Sequence, residues 1–372
     1  MKKLFLYTDL SLLEHGFPVE LLVPFIGLYN EEDSPGRIMS GRFDEYMQMG
    51  REIIELTTDI EKCDACLLPV VYPLIGGVEA FEKKISSFVE IVENSGKQTF
   101  VFVADEISSC RVRIKNSIVF HNSGIKSNQN DNYFSYPNFF EDFIQKYYDG
   151  NPMWVDKPAM PSVGFCGYAP PLGLSITDKW IVAAIKLLLN YMGLLKFFPS
   201  KTSHSYRARA ILSFKFSKKK VLSDFLVKKQ FAFGSKGQLN SDCGAVESDS
   251  TFRRRYVDNM TNNAYTLCVR GIGNYSIRFF ETICCGRIPI FVNTDSILPF
   301  DFLIDWKQYC VWVEEKDIDK LPQKVAEFHA QITPEEFLEL QKKLRSIWET
   351  YMTPMGFFSH LYLFLEQTNK PQ

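Results

Sequence analysis

Arg270, Arg278 and Glu281 stand close together in a chain of 372 residues, joined by Gly271, Gly273, Asn274 and Ser276. A guanidinium offers a planar fork to phosphate oxygens, and a carboxylate accepts the paired hydroxyls of a ribose. Arg278 and Glu281 are three residues apart, so on a helix they share one face and can reach one ligand together. The glycines permit close backbone approach or a left-handed turn just before them. This chemistry suits a nucleoside diphosphate, with Arg270, Gly271, Gly273, Asn274, Ser276, Arg278 and Glu281 as the candidate donor contacts. An ordinary ion pair on a helix surface would show the same spacing.

The surrounding pattern supplies elements to position these groups. Residues 265–269 are apolar and aromatic enough for a short buried strand, and the glycine turn follows. Ser276 is expected to cap a helix whose apolar positions Ile277, Phe280 and Cys284 recur at spacings of three and four. Gly286 ends that helix, and 288–292 reads as the next strand. The first turn of the helix then opens at the carboxyl edge of a parallel sheet, where anions bind.

The same residues resemble the exostosin-like glycosyltransferases of glycosyltransferase family 47. The resemblance lies in Cys268-Val269-Arg270-Gly271, in Ser276, Arg278, Phe279 and Glu281, and in Gly286-Arg287-Ile288-Pro289. It continues in Leu298-Pro299-Phe300 before Asp305-Trp306, and more weakly in Asp64-Ala65-Cys66-Leu67-Leu68-Pro69. It implies an α/β protein of GT-B type, two Rossmann-like domains facing a central cleft. It also implies inverting transfer of a sugar from a nucleotide donor, UDP-linked, to a glycan acceptor, as in surface polysaccharide or glycoconjugate synthesis. No metal or other cofactor is expected. An arginine early in the second domain often helps hold the diphosphate in this family, which makes Arg207 and Arg209 candidate donor contacts. The sugar itself does not carry over.

Length and composition agree with two domains, since 372 residues exceed what one core normally serves and 46% of them are hydrophobic. A net charge of −2 and a pI near 6.3 argue against a dedicated nucleic-acid binder. The start, Met1-Lys2-Lys3 then Leu4 to Tyr7, is broken by Thr8 and Asp9 before a leader develops, and no run of about 18 apolar residues occurs. A cytoplasmic protein is expected, with peripheral membrane contact left open and the oligomeric state not legible. Nine cysteines and five histidines form no metal framework. Cys63-Asp64-Ala65-Cys66 lacks the second pair a structural zinc needs, and packing of reduced thiols explains the cysteines better than disulfides.

The first domain is expected over 1–157, with strands near 3–7, 66–71, 99–103 and 117–120 and helices near 43–56 and 78–92. Prolines 152, 158, 161, 170 and 171 mark a linker. A second domain over 158–353 opens with a strand at 162–166 and a helix at 176–195, and Thr333-Pro334-Glu335-Glu336 reads as a capping box. Residues 354–372 supply a final apolar helix, at 357–366, that in GT-B proteins packs back on the first domain. An inverting transfer needs a base on the first domain. Asp105 and Glu106, just after the strand at 99–103, are candidates, and Asp9 after the first strand is another. The clusters Lys218-Lys219-Lys220 and Arg253-Arg254-Arg255 read most simply as solvated faces. Rival readings are an NAD(P)-dependent oxidoreductase, whose fingerprint fails at Ser276, and a glycan- or nucleotide-binding protein without catalysis.

Overall fold

The computed structural model describes residues 3–35, 37, 39–73, 77–103, 111–169, 204–215, 217, 220–228 and 249–369. The expected helix at 176–195 and the candidate bases Asp105 and Glu106 lie outside the described residues.

Two parallel sheets form the molecule. The first runs β1 (Leu4–Tyr7), β2 (Ile54–Thr57), β3 (Ala65–Leu67), β4 (Thr99–Val103), β5 (Ser117–His121) and β6 (Tyr133–Phe134), in spatial order β2-β1-β3-β4-β5-β6. The second contains β7 (Ser162–Tyr168), β8 (Leu222–Lys228), β9 (Tyr265–Cys268), β10 (Ile288–Asn293) and β11 (Val311–Glu314), in order β11-β10-β9-β7-β8. Every described pairing between these strands is parallel. The fold is therefore α/β with two Rossmann-like domains, the arrangement of a GT-B protein.

Residues in a buried parallel strand alternate between faces, and β4 shows how this builds two layers. Phe100 and Phe102 enter the large core that runs through both domains, whereas Val101 and Val103 face a smaller core with Phe81, Phe88 and Val92. The smaller core is covered by helices α3 (Val78–Lys84) and α4 (Ser86–Ser95). One continuous helix over 78–92 is thus replaced by two that meet at Ile85.

Other expectations shift for similar local reasons. The helix expected over 43–56 is α2 (Asp44–Ile53), following the short α1 (Val23–Ile26), and its last residues turn extended to become β2. Ile54 at the helix end has φ −128° and ψ 138°, and β-branched Ile53-Ile54 suits that change. The strand expected over 66–71 closes at Leu67, although Val70 makes an isolated bridge to Pro18. Strand β6 was not foreseen, being only two residues long.

A tether, α5 (Phe143–Tyr148), leads to the second domain. Arg287 is fully buried there and donates to the carbonyls of Thr261 (2.7 Å from Nη2), Cys285 and Met153 and to Gln341 Oε1 (3.2 Å), which ties the linker to the second sheet. Gly286 beside it has φ 61°, the left-handed turn that ends the preceding helix.

Beyond β11 come α9 (Leu321–Gln331) and α10 (Pro334–Ile347), whose capping box between Thr333 and Glu336 forms as the sequence indicates. The final segment is two helices rather than one, because Pro354 occupies a first-turn position and Thr353 caps it, its hydroxyl accepting from the Gly356 amide at 2.9 Å. These are α11 (Pro354–Ser359) and α12 (Tyr362–Thr368). Phe364 packs edge-on against Phe120 at 4.9 Å and Phe134 at 5.0 Å between ring centroids, so this segment lies on the first sheet.

Candidate anion site at the second-sheet switch point

Strand order in the second sheet reverses between β7 and β9, since β8 follows β7 on one side and β9 lies on the other. Ligands of open parallel sheets bind outside the carboxyl ends of strands at such a point. Three arginines gather near it: Arg278 on α8 (Ile277–Cys284), Arg207 on α6 (His204–Lys215) and Arg270 just past β9.

Arg278 is the most constrained. Its Nη2 donates to the Cys166 carbonyl of β7 at 2.6 Å, and the guanidinium lies 4.5 Å over the Phe165 ring. A Cβ at Gly167 would stand 2.5 Å from Nη2, so glycine is what lets the arginine lie against this strand. The side chain is buried, with Arg278 8% exposed, yet Nε and Nη1 make no hydrogen bond. Burial opposes its charge, but Tyr256 and Glu281 more than offset this, and the group remains a cation.

Arg207 reaches the same edge from behind. Its Nε donates to the Val269 carbonyl at 3.3 Å and Nη1 to the Tyr168 carbonyl at 3.4 Å, bridging the ends of β9 and β7. Burial, with the charge of Arg278 added, pushes its pKa down to about 10. A Cβ at Gly271 would come within 3.2 Å of its Nη2. Arg209 on the same helix instead pairs with Asp319 at the surface, 2.9 Å away, and takes no part in the cluster.

Arg270 and Asn274 serve the loop itself. Arg270 donates to the carbonyls of Gly273 and Ile272 and to Asn274 Oδ1 (2.8 Å). Asn274 is fully buried and stitches the domains together. Its amide N donates to Ser123 Oγ at 2.9 Å, and its Nδ2 donates to the Gly124 carbonyl at 2.9 Å and the Asp295 carbonyl at 3.1 Å. Ser123 and Gly124 follow β5, so the carboxyl edges of the two sheets face each other here. Neither Gly271 nor Gly273 is left-handed. Close approach is their contribution: a Cβ on Gly273 would meet the Tyr275 ring at 2.5 Å and Ser123 Oγ at 2.9 Å.

Ser276 takes the extended N-cap conformation, but its buried hydroxyl makes no hydrogen bond, so the expected side-chain cap is absent. Glu281 also departs from a surface pair with Arg278. It is 3% exposed and is held by Arg253 Nη1 at 3.4 Å and by the Tyr256 hydroxyl. Burial raises its pKa, and the nearby Arg253 opposes the rise without cancelling it. Arg253 in turn forms a two-pronged ion pair with Glu141.

Arg253 and Tyr256 on α7 (Asp249–Thr261) are thus site residues, Arg253 belonging to the basic run expected to be a solvated face and Tyr256 lying just beyond it. Their signal was present. Arg253, Tyr256 and Met260 recur at spacings of three and four, the period of an inward face. Arg254 behaves as expected of the run, pairing with Asp258 at the surface.

On the first domain, Asp9 lies at that sheet's own switch point, between the ends of β1 and β3. Its Oδ1 accepts from the Ser11 amide at 3.0 Å and hydroxyl at 2.7 Å, capping the turn that follows. Among the described residues no three His, Cys, Asp or Glu gather as a metal site. Their cysteines are buried free thiols. No helix among the described residues is long and apolar enough to cross a membrane.

Two facing Rossmann-like domains with an arginine-lined sheet edge define a GT-B-type protein. Residues 219–328, which carry Arg253, Arg270, Arg278 and Glu281, match the Exostosin GT47 domain. Exostosin-1 of Drosophila melanogaster is 31% identical over 99 residues, 27% of this chain and 12% of that protein. A probable glucuronosyltransferase of Oryza sativa subsp. japonica is 38% identical over 66 residues, 18% of this chain and 16% of that protein. A probable beta-1,4-xylosyltransferase of Arabidopsis thaliana is 35% identical over 66 residues, again 18% of this chain and 16% of the relative. The segment 219–328 is thus similar to the exostosin-like domain of family GT47. The matched segments are a small part of each of these relatives.

Proposed function

We propose that this protein is a glycosyltransferase moving a sugar from a nucleotide-linked donor to a hydroxyl of a glycan acceptor. The carrying observation is Arg278, a buried cation with Nε and Nη1 unpartnered. A charge so placed is costly unless an anion meets it. A diphosphate at the switch point would accept from those two nitrogens and lie within the field of Arg207. Its charge grows as the sugar leaves, so fixed guanidiniums there favour the transition state over the bound donor. They supply the positive charge without a metal, and transfer is proposed to be metal-independent.

Glu281 keeps lone pairs beyond those used by Arg253 and Tyr256, and in this reading it accepts the ribose hydroxyls. The acceptor oxygen attacks the anomeric carbon from the face opposite the leaving diphosphate, giving inversion. Its proton passes to a carboxylate of the first domain. Asp105 is the proposed base, being two residues past β4 in sequence, while Asp9 is occupied in capping. UDP is the proposed nucleotide, and the setting is cytoplasmic synthesis of a polysaccharide or glycoconjugate.

A thermal-shift screen of nucleotides and nucleotide sugars tests this, because a ligand that binds only the folded state raises its stability. UDP and a UDP-sugar should raise the melting temperature of the wild type and do so far less in Arg278→Ala. Stabilisation by NAD(P) with none by any nucleoside diphosphate would replace this reading with the dinucleotide one.

A further inference from the structure

A second cleft, of about 450 Å³, lies beyond the arginine cluster at the carboxyl ends of β10 and β11. Its volume is within the range of sites that enclose small organic ligands. Both domains line it. Lys126 from the first domain crosses to Asp301 at 2.7 Å, and Ser127 donates to Asp295 through its amide and hydroxyl.

The wall of this cleft has fixed geometry. Trp312 is half-buried, and its indole Nε1 donates to Glu314 Oε1 at 2.7 Å, while Asn293 Nδ2 donates to Oε2 at 2.8 Å. Asn293 and Glu314 are register partners on β10 and β11, so the sheet sets this arrangement. An aromatic plate with an amide and a carboxylate at its edge meets both halves of a sugar ring. The indole rests against Phe291, with 5.0 Å between ring centroids, and Lys307 lies over it, so a sugar's C–H face would displace this flexible lysine to pack on the ring while the hydroxyls reach oxygens that still have free lone pairs.

Charge selects among sugars. Asp295, Asp301, Asp305 and Glu314 line the cleft against Lys126 and Lys307, so carboxylates outnumber cations. Lys126 is engaged with Asp301, and Lys307 lies 5.5 Å over the Trp312 ring. A uronic acid would bring its own carboxylate into a site already rich in them, and like charges brought together across an interface oppose binding. The arginine cluster has the opposite character.

We propose that this cleft binds an uncharged saccharide, the glycan acceptor of the transfer reaction, and disfavours acidic glycans. The assignment as acceptor rests on the function proposed above; the saccharide site itself does not. Binding is therefore measured without nucleotide, by tryptophan fluorescence and calorimetry, using cellobiose, xylobiose, lactose and N,N′-diacetylchitobiose beside cellobiouronic acid.

The expected result is binding of at least one neutral disaccharide, weakened about tenfold or more in Trp312→Leu, with the uronic acid bound at least about tenfold more weakly than its neutral counterpart. Glu314→Gln, which keeps shape and removes charge, should narrow the gap between neutral and acidic forms, and circular dichroism confirms that each variant is folded. Equal binding of acidic and neutral disaccharides, unchanged binding in folded Trp312→Leu, or no binding of any neutral disaccharide by protein that still binds UDP would overturn the proposal. If saccharide binds as described and UDP does not, the cleft stands and the donor reading falls.

Discussion

Arg253 and Glu141 form a bidentate ion pair between α7 of the second domain and the segment leading out of the first, with Nε–Oε1 3.0 Å and Nη2–Oε2 3.1 Å. Glu141 is 2% exposed, and the arginine lies 4.7 Å over the Phe143 ring. Because Arg253 also reaches Glu281, the contact that joins the domains orders the site as well.

Removing Glu141 leaves Arg253 buried with only its longer contact to Glu281, at 3.4 Å, and breaking a buried pair in this way costs up to about 3–5 kcal/mol. Glu141→Ala should therefore lower the free energy of unfolding by roughly that amount, read from urea denaturation midpoints at constant slope. A loss confined to a few tenths of a kilocalorie would show that the pair is not buried in solution.

Arg278→Met separates binding from folding. Methionine removes a buried cation two of whose nitrogens, Nε and Nη1, lack partners, so stability without ligand should hold or rise, whereas affinity for UDP should fall. A hydrogen bond to a charged group is worth about 1.5–3 kcal/mol, which corresponds to roughly tenfold to a hundredfold in affinity by calorimetry. Unchanged UDP affinity would remove Arg278 from the site.

Asp142 gives a pH dependence. Burial alone would raise its carboxyl, but Arg345, bonded to both oxygens, and the amides of Gln145 and Ile144 hold it below the ordinary 3.8. A carboxyl depressed in the folded state contributes stability above its unfolded pKa and loses it as pH falls through the folded value. The urea midpoint should thus decline below about pH 4 with a component that Asp142→Asn abolishes. An identical pH profile in the variant would contradict the assignment.

Gly286→Ala should destabilise by more than about 1 kcal/mol, because φ 61° is a left-handed conformation that an L side chain resists. The new Cβ would also stand 2.6 Å from the Trp154 ring, so a change in tryptophan emission should accompany the loss. Denaturation followed by fluorescence reads both.

Local patterns carried the second domain's central unit. The strand, turn, helix and strand from Tyr265 to Asn293 follow from apolar runs, glycines and a three-four period, with ends within one or two residues of those expected. Partners distant in sequence were not legible. Glu281 looked free to pair with Arg278 at i, i+3, but Arg253 and Tyr256, brought in by α7, claimed it. Asn274 looked like a ligand contact, and the first domain's Ser123 and Gly124 engage it. Ser276 had the right residue type for a cap, yet the helix opens without using its hydroxyl. Spacing along one element cannot report what another element delivers to it.

Gln98 Nε2 donates to Thr368 Oγ1 at 2.6 Å across 270 residues of sequence, beside the rings of Phe357 and Phe364 that cover Phe120. During synthesis the first sheet is therefore made early and closed late. Its aromatic face stays uncovered by Phe357 and Phe364 while the whole second domain leaves the ribosome. The first lobe cannot reach its finished state as a separately expressed piece.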